Sequence, residues 1–423
     1  MNVKKQPFIK YENGIIIIMF MVFGLLFMDR LSIIYLFPFI APELGLNNTQ
    51  LGMLVGATSI TWGISTLIFA SLSDFIGKKK NILITFIIIF SLATFTSGLV
   101  GGLISLLLVR LLMGAAEGPV VPLVQSTIMV ESTPSRRGMN MGFIQSAAPL
   151  MGNALAPIIV IAIAVSFNWR YSLYALAIPG IILALVLIFY MREPIVKAAK
   201  GAEERTSKLT FDDYKSVFKT RNVWISMLIA IFYMMYLLIF SSFMPTFLTG
   251  VSNYTEQQYG IIMVVFGVGM FFWQLVIPFL SDKIGRKTVM IPCTFIAILL
   301  PLAVANFHSN MVLLAVLIFL LTIGFGCQPL YLAVIPSESV KIAFAATAIS
   351  SVVLTGEIIG GTLGPVLAGV LADKYSLYAP LWLSSATAVL FFLLVFALKE
   401  SAPVKLKKRG EANLVPEERI EFS

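Results

Sequence analysis

Long apolar runs separated by short polar breaks follow one another along almost the whole chain. A helix that crosses a bilayer needs ~20 predominantly apolar residues, and twelve runs are of that kind. In order they are Ile15–Phe39, Leu51–Leu72, Ile82–Val100, Leu103–Val130, Met139–Val165, Tyr171–Met191, Val223–Leu248, Tyr259–Leu280, Val289–Phe307, Met311–Ile335, Ala343–Leu371 and Leu381–Leu398. The first run is too long for the apolar part of a cleaved signal, and no small-residue cleavage site follows it, so it is expected to be kept. The pattern predicts an all-α polytopic membrane protein with twelve transmembrane helices.

Composition agrees, and charge adds an orientation. Of 423 residues, 58% are hydrophobic and 12% charged, and the mean hydropathy is +0.93; such values belong to integral membrane proteins. Of the 30 lysines and arginines, 26 fall in the amino-terminal tail, the loops after even-numbered spans, the central loop and the carboxy-terminal tail. Arg170 and Lys374 lie on the other side, and Arg30 and Arg110 inside spans. Positive charge marks cytoplasmic loops, so both termini are expected in the cytoplasm of a multi-pass protein of the cell membrane. The net charge of +9 is accounted for by topology, and a nucleic-acid partner is not needed. Cys293 and Cys327 fall within spans, which gives neither a disulfide framework nor a metal-ligand spacing. The single histidine, His308, sits at a short external turn and reads as solvated.

The chain divides in the middle. Residues 192–222 are mixed in charge, include AAKGAEERTSK and read as a cytoplasmic linker, with FDDYKSVFKT as a short surface helix. This leaves an amino-terminal six-helix bundle at 1–191, a carboxy-terminal one at 223–400 and a cytoplasmic tail at 401–423. The halves repeat each other. SLSDFIGKKK at 71–80 matches FLSDKIGRKT at 279–288, placing Asp74 against Asp282, and MGNALAP, ending at Pro157, matches IGGTLGP, ending at Pro365, at the same offset of 208 residues. Same order and same sidedness make the repeat parallel, the architecture of carriers whose two bundles rock about a midplane site.

The loop signature between spans 2 and 3, and its copy between spans 8 and 9, resemble those of the major facilitator superfamily, a likeness that runs from about Ile15 to Leu398. In the first half MDRLS, APELGLNNTQLG, RLLMGAAEGPVVP and WRYSLYALAIPG resemble, in that order, the anion:cation symporter family, which includes carriers of galactonate, hexuronates and sialic acid. The resemblance implies proton-coupled uptake of a small organic anion. The loop signature has Phe75 where a basic residue is usual, while Lys283 keeps it in the second copy, and Ser32 and Ile33 depart from the family's usual first helix.

A charge at the centre of a spanning helix costs at least ~2.5–3.5 kcal/mol, so it persists when paired, when it faces a wet cavity, or when it is useful. Asp29, Arg30, Arg110, Glu117 and Glu357 qualify. The positions 208 residues after the first four are Leu237, Leu238, Ile318 and Phe325. The repeat therefore keeps the scaffold but not these charges, which argues against a purely architectural role. Arg110 and Glu117 are two turns apart on one helix face, with Gln125 continuing the stripe. Gly114 and Gly118 permit close approach, and Pro119 and Pro122 free backbone carbonyls or kink the helix. Desolvation disfavours the charged form of a carboxyl, which suits Glu117 to taking up and releasing a proton. Asp29 and Arg30 are adjacent and project ~100° apart, so they cannot serve one spot. The arginine's planar fork suits a carboxylate, and Arg30 is assigned as the anion clamp. The proton-coupling set is Glu117, Asp29, Arg110 and Glu357. Against this stand structural readings: Asp29 with Arg30 or Arg110 as a packing pair, Glu117 likewise, and Glu357 as a helix-packing acid.

Asp74 and Asp282 read as parts of a cytoplasmic gate, together with Arg136 and Arg137 beside Glu131, and Glu338 beside Lys341. The second half offers Tyr233, Tyr236, Ser241, Ser242, Gln274, Gln328 and Tyr331 as a polar and aromatic wall, and the substrate-binding set is Arg30, Gln328, Tyr331, Tyr236 and Gln125. No nucleophile with a base, metal cluster or phosphate loop points to an enzyme, and no cofactor is implied. The expected partners are a small organic anion, protons and the lipid bilayer, with the chain acting as a monomer. Alternatives of the same fold are an aromatic-acid or nicotinate carrier and a drug or metabolite exporter.

Overall fold

The computed structural model describes residues 11–76, 78–133, 136–193, 217–341, 344–402 and 404–405, without the side chains of residues 70–76, 138 and 346. Among the described residues twelve helices are long and apolar enough to cross a membrane: α1 (Tyr11–Leu44), α2 (Asn48–Phe69), α3 (Lys79–Ser97), α4 (Leu103–Glu131), α5 (Met139–Ser166), α6 (Trp169–Tyr190), α7 (Arg221–Gly250), α8 (Glu256–Ile284), α9 (Arg286–Phe307), α10 (Met311–Glu338), α11 (Thr347–Lys374) and α12 (Tyr378–Ala397). No strand occurs among them, as hydrocarbon demands, because a helix satisfies its own backbone where water is absent. Polar residues set the helix ends: Asn168 caps α6, Asn310 caps α10, and Thr255 with Gln258 forms a capping box on α8. Most of the expected linker lies outside the described residues; of FDDYKSVFKT, residues 217–219 are helical. The side of the bilayer on which α1 begins is called the terminal side, and the opposite one the far side.

Contacts divide the chain into two compact units, Met1–Ile33 with Thr61–Lys197, and Ile34–Ile60 with Ala198–Ser423. The far-side ends of α1 and α2 therefore belong with the second half of the chain, a grouping that covalent order does not reveal. Its cause lies in a few contacts inside the second unit. Both carboxylate oxygens of Asp373 on α11 receive the start of α2, from Asn48 N at 3.1 Å, Asn48 Nδ2 at 2.9 Å, Thr49 N at 2.7 Å and Thr49 Oγ1 at 2.6 Å. A carboxylate at a helix N-terminus satisfies amides that have no partner within the helix. Beside it, α2 approaches α11 so closely that a Cβ on Gly52 would lie 2.2 Å from the Pro365 carbonyl. On α8, the Tyr259 hydroxyl donates to the Tyr35 carbonyl at 2.9 Å.

The repeat reappears as matched irregularities. Helix α5 widens into a π segment at Ala148–Leu155 and α11 into one at Gly356–Gly361, 208 residues on. Each lies just before the proline that ends the repeated motif, Pro157 or Pro365, where the ring removes one helical hydrogen bond and crowds the carbonyl four residues back. Helix α4 is interrupted after Glu117, and α10 tightens to a 3₁₀ stretch at Thr322–Cys327 around the equivalent position, Phe325.

On the terminal side the second signature loop is tightly tied. Arg286 pairs with Asp282 and, through a two-pronged contact, with Glu338 at 2.9 and 3.3 Å. From beyond α12, Glu400 Oε1 accepts the Arg286 amide at 2.8 Å and Ser401 donates to Glu338 at 2.6 Å. Gly285, at φ 108°, makes the turn that a side chain would strain. Glu338 thus has Arg286 as its ion-pair partner, where Lys341 was expected. Arg136 lies 3.8 Å from Glu12 and donates to Asn13 on α1, where Glu131 was expected, and Arg137 is exposed. The Asp74 side chain lies outside the described residues. His308 departs from its solvated reading: it is half-buried, edge-on to Phe247, with Nε2 3.2 Å from the Tyr378 hydroxyl.

Candidate functional site

The break in α4 builds the first cluster, which lies within the first unit. Pro119 and Pro122 strip the carbonyls of Ala115 and Gly118 of their helical partners. Hydroxyls from α2 take over: Ser65 donates to the Ala115 carbonyl, and Thr66 Oγ1 lies 3.0 Å from the Gly118 carbonyl. This contact needs a glycine, since a Cβ on Gly118 would stand 2.4 Å from the Trp62 carbonyl. Gly118→Ala is therefore expected to cost ~1–3 kcal/mol by overpacking and to lower the melting temperature of the purified protein. Gly101→Ala is the control, because its Cβ would meet nothing within 4 Å. Equal melting temperatures for the two variants would contradict the close approach of α2 and α4.

Helix α2 thereby fixes Trp62, and the Arg30 guanidinium lies over its ring at 5.1 Å from the centroid, a cation–π contact. Asp29 turns elsewhere: its carboxylate receives the Thr94 hydroxyl of α3, and its backbone carbonyl accepts Ser32 Oγ at 2.7 Å. On α4, Arg110 and Glu117 are wholly buried. The charges of Asp29 and Glu117 both act on Arg110, whose Nη1 points at Met113 Sδ, 3.1 Å away. Its Nε and Nη2, and Asp29 Oδ1, have no hydrogen-bond partner among the described residues. Two acids and two arginines thus sit buried inside the spans of one unit, and with all four ionised their charges sum to zero; Lys79, also buried, stands apart from them as the first residue of α3. Gln125, farther along α4, is half-buried.

A second polar group lies in the second unit. Gln328, where the 3₁₀ stretch of α10 gives way to a π segment at Leu330–Val334, accepts from Gln274 Nε2 at 2.9 Å and from the Tyr233 hydroxyl at 3.4 Å. The Tyr331 ring is 4.8 Å from that of Tyr233, and the Glu357 charge acts on Tyr331. Glu357 lies in the π segment of α11; a Cβ on Gly361 would be 3.3 Å from its Oε2 and 3.1 Å from Ser59 Oγ. Tyr236 is placed differently. It is fully buried, its hydroxyl donates to the Ala297 carbonyl at 3.0 Å, and its ring stacks on Phe325.

Sequence reasoning passed over Trp62, Ser65, Thr66 and Thr94, which carry no charge to mark them. A signal was present for three of them: Thr58, Trp62, Ser65 and Thr66 form a polar stripe at helical spacing along α2.

Comparison with known proteins places this arrangement. The family model of the Major Facilitator Superfamily matches residues 19–350 and, in a second match, 252–421. The chain is similar to the hexuronate transporter of Bacillus subtilis, 26% identical over 290 residues that make up 66% of this chain and 67% of the relative. It is also similar to the probable sulfoacetate transporter SauU of Cupriavidus necator, 23% identical over 400 residues, 89% and 91% of the two chains. A crystal structure of a mutant of the nucleoside transporter NupG superposes with a TM-score of 0.74 at 18% identity, covering 92% of this chain and 99% of that one; at that identity the likeness speaks for the fold alone. Matches of this extent, with twelve candidate membrane helices among the described residues, identify a transporter rather than an enzyme: the chain belongs to the Major Facilitator Superfamily.

Proposed function

We propose that this transporter takes up a small organic anion, a sugar acid or a similar carboxylate, together with protons, by alternating access. The observation that carries the reading is the charge sum of the four ionisable groups buried inside the spans of the first unit. Asp29, Arg30, Arg110 and Glu117 are neutral together when ionised; an arriving carboxylate makes the cluster negative, and a net charge out of water is costly. One proton on Glu117, or on Asp29, restores neutrality, so anion and proton bind best together. Arg30 holds the substrate carboxylate, and Arg110 answers to the two acids. Gln328 and Tyr331 are assigned to substrate hydroxyls, and Glu357 to a second acidic role in the other half.

The moving bodies are the two six-helix halves, residues 1–191 and 223–400, and the terminal side is cytoplasmic, where the lysines and arginines gather. The carrier then resides in the cell membrane and works as a monomer. A membrane potential opposes entry of an anion into a negative interior by ~2.3 kcal/mol per charge per 100 mV, and one proton per negative charge cancels that load. The names of the two curated relatives, which concern a hexuronate and sulfoacetate, support an organic anion as cargo.

The test is uptake by proteoliposomes across a panel of sugar acids, aromatic acids and short dicarboxylates, with and without a pH gradient. A sugar acid is expected to accumulate when the exterior is acid, and a protonophore to abolish the accumulation. Preference for an aromatic acid would favour the nicotinate-type alternative, and uptake indifferent to the gradient would remove the proton from the mechanism.

A further inference from the structure

Helices α8 and α10 meet at a junction that joins two glutamines. Gly326 lets the two helices touch: a Cβ there would lie 2.6 Å from the Trp273 carbonyl and 2.4 Å from Ile277 Cγ1. Trp273 fixes the same junction by donating from Nε1 to the Phe319 carbonyl at 2.8 Å. The next residue, Gln274, is thereby brought to Gln328. Its Nε2 donates to Gln328 Oε1 at 2.9 Å, and the Tyr233 hydroxyl donates to the same oxygen at 3.4 Å. Tyr233 has little freedom to turn away, since it is fully buried between Phe325 and Phe391.

An amide oxygen has two lone pairs; here Gln274 takes one at 2.9 Å, and the Tyr233 hydroxyl, 3.4 Å away, faces the other. The half-buried Gln328 is left with its two N–H bonds as the only polar function it can offer a ligand. We infer that Gln274 is a positioning residue for substrate specificity: it holds the Gln328 amide so that Gln328 presents donors and no acceptor, and selects a cargo with an acceptor oxygen at that point. The inference rests on the reading above that Gln328 meets the substrate. A hydroxyl, which both donates and accepts, satisfies such a site; so does an acceptor-only substituent such as fluorine or a carbonyl. A group that can only donate does not.

The experiment uses the full-length protein in proteoliposomes, with glucuronate and its monodeoxyfluoro analogues as probes. In the unaltered protein, fluorine at the position facing Gln328 is expected to leave KM close to that of glucuronate. Gln274→Met removes the shorter of the two donations, so the Gln328 oxygen has a lone pair free for a cargo hydroxyl, which fluorine cannot use. KM for that fluoro analogue should then rise about tenfold relative to glucuronate, the worth of one hydrogen bond, with the maximal rate unchanged. Gln274→His, which has a ring N–H to donate, should restore the ratio; a residue that only packs would not discriminate between two cargoes of equal size. If the KM ratio stays constant for every fluoro position in Gln274→Met, while Gln328→Met raises KM for all cargoes, the positioning role is wrong and the reading of Gln328 stands. If Gln328→Met changes no KM, or if no analogue is transported, both fall together.

Discussion

Glu117→Gln is expected to abolish proton-driven accumulation while leaving anion exchange intact. The substitution keeps size and polarity but removes the carboxyl proposed above to take up the proton. Its consequence follows from the charge sum. With Glu117 neutralised permanently, Asp29, Arg30 and Arg110 carry one net positive charge, so an arriving carboxylate completes neutrality without any proton. The variant should bind its anion at least as tightly as the unaltered protein, and with a weaker dependence on pH. In proteoliposomes, a gradient of one pH unit supports about tenfold accumulation for each coupled proton, since it is worth ~1.36 kcal/mol. The variant should equilibrate its cargo at a ratio near one under the same gradient, yet exchange internal for external substrate at an appreciable rate. Asp29→Asn provides the comparison, because the Thr94 hydroxyl already rests on that carboxylate and Asp29 is the second candidate for the proton. Accumulation that survives in Glu117→Gln but fails in Asp29→Asn would transfer the coupling role to α1. Survival in both would remove the cluster from proton coupling.

The parts of this arrangement were unequally legible in the sequence. Twelve spans could be read because a bilayer requires uninterrupted apolar length, and that requirement is local. The break in α4 was legible too, since Pro119 and Pro122 act on carbonyls four residues before them in the same helix. What heals the break was not: nothing in the periodicity of α2 says that Ser65 and Thr66 face Ala115 and Gly118. Burial of Arg110 and Glu117 followed from their place within a span. The partners of Asp29 and Arg30 did not, because Thr94 and Trp62 are neutral residues whose roles depend on how three helices meet. The ion-pair partners on the terminal side went the same way. Near neighbours in sequence, Glu131 for Arg136 and Lys341 for Glu338, were the natural guess, whereas the fold supplies Glu12 and Arg286 from distant segments. Similarly, the attachment of the first residues of α2 to Asp373 crosses more than 300 residues of chain.

Arg30→Ala is expected to reduce affinity for the anion by about 30-fold or more. Truncating one partner of a buried, hydrogen-bonded charge pair costs ~2–5 kcal/mol, and each ~1.4 kcal/mol is tenfold in affinity. The loss has two sources. The planar fork that would hold both carboxylate oxygens is gone, and the remaining Asp29, Arg110 and Glu117 carry one net negative charge before the anion arrives. Arg30→Lys separates the two sources. It keeps the charge and loses the fork, so its affinity should fall between those of the alanine variant and the unaltered protein. Trp62→Leu tests the support beneath the guanidinium, which lies 5.1 Å from the ring centroid; losing a cation–π contact of ~0.5–2 kcal/mol should weaken binding by a smaller factor than Arg30→Ala. Binding is best measured calorimetrically on protein whose melting temperature shows it folded. Arg110 is the competitor for the clamp, but it is wholly buried, whereas Arg30 keeps 8% exposure. Unchanged affinity in Arg30→Ala, with affinity lost in Arg110→Lys, would move the carboxylate site from α1 to α4. In that case Arg110 could no longer be reserved for the two acids, and substrate and proton would compete for one guanidinium.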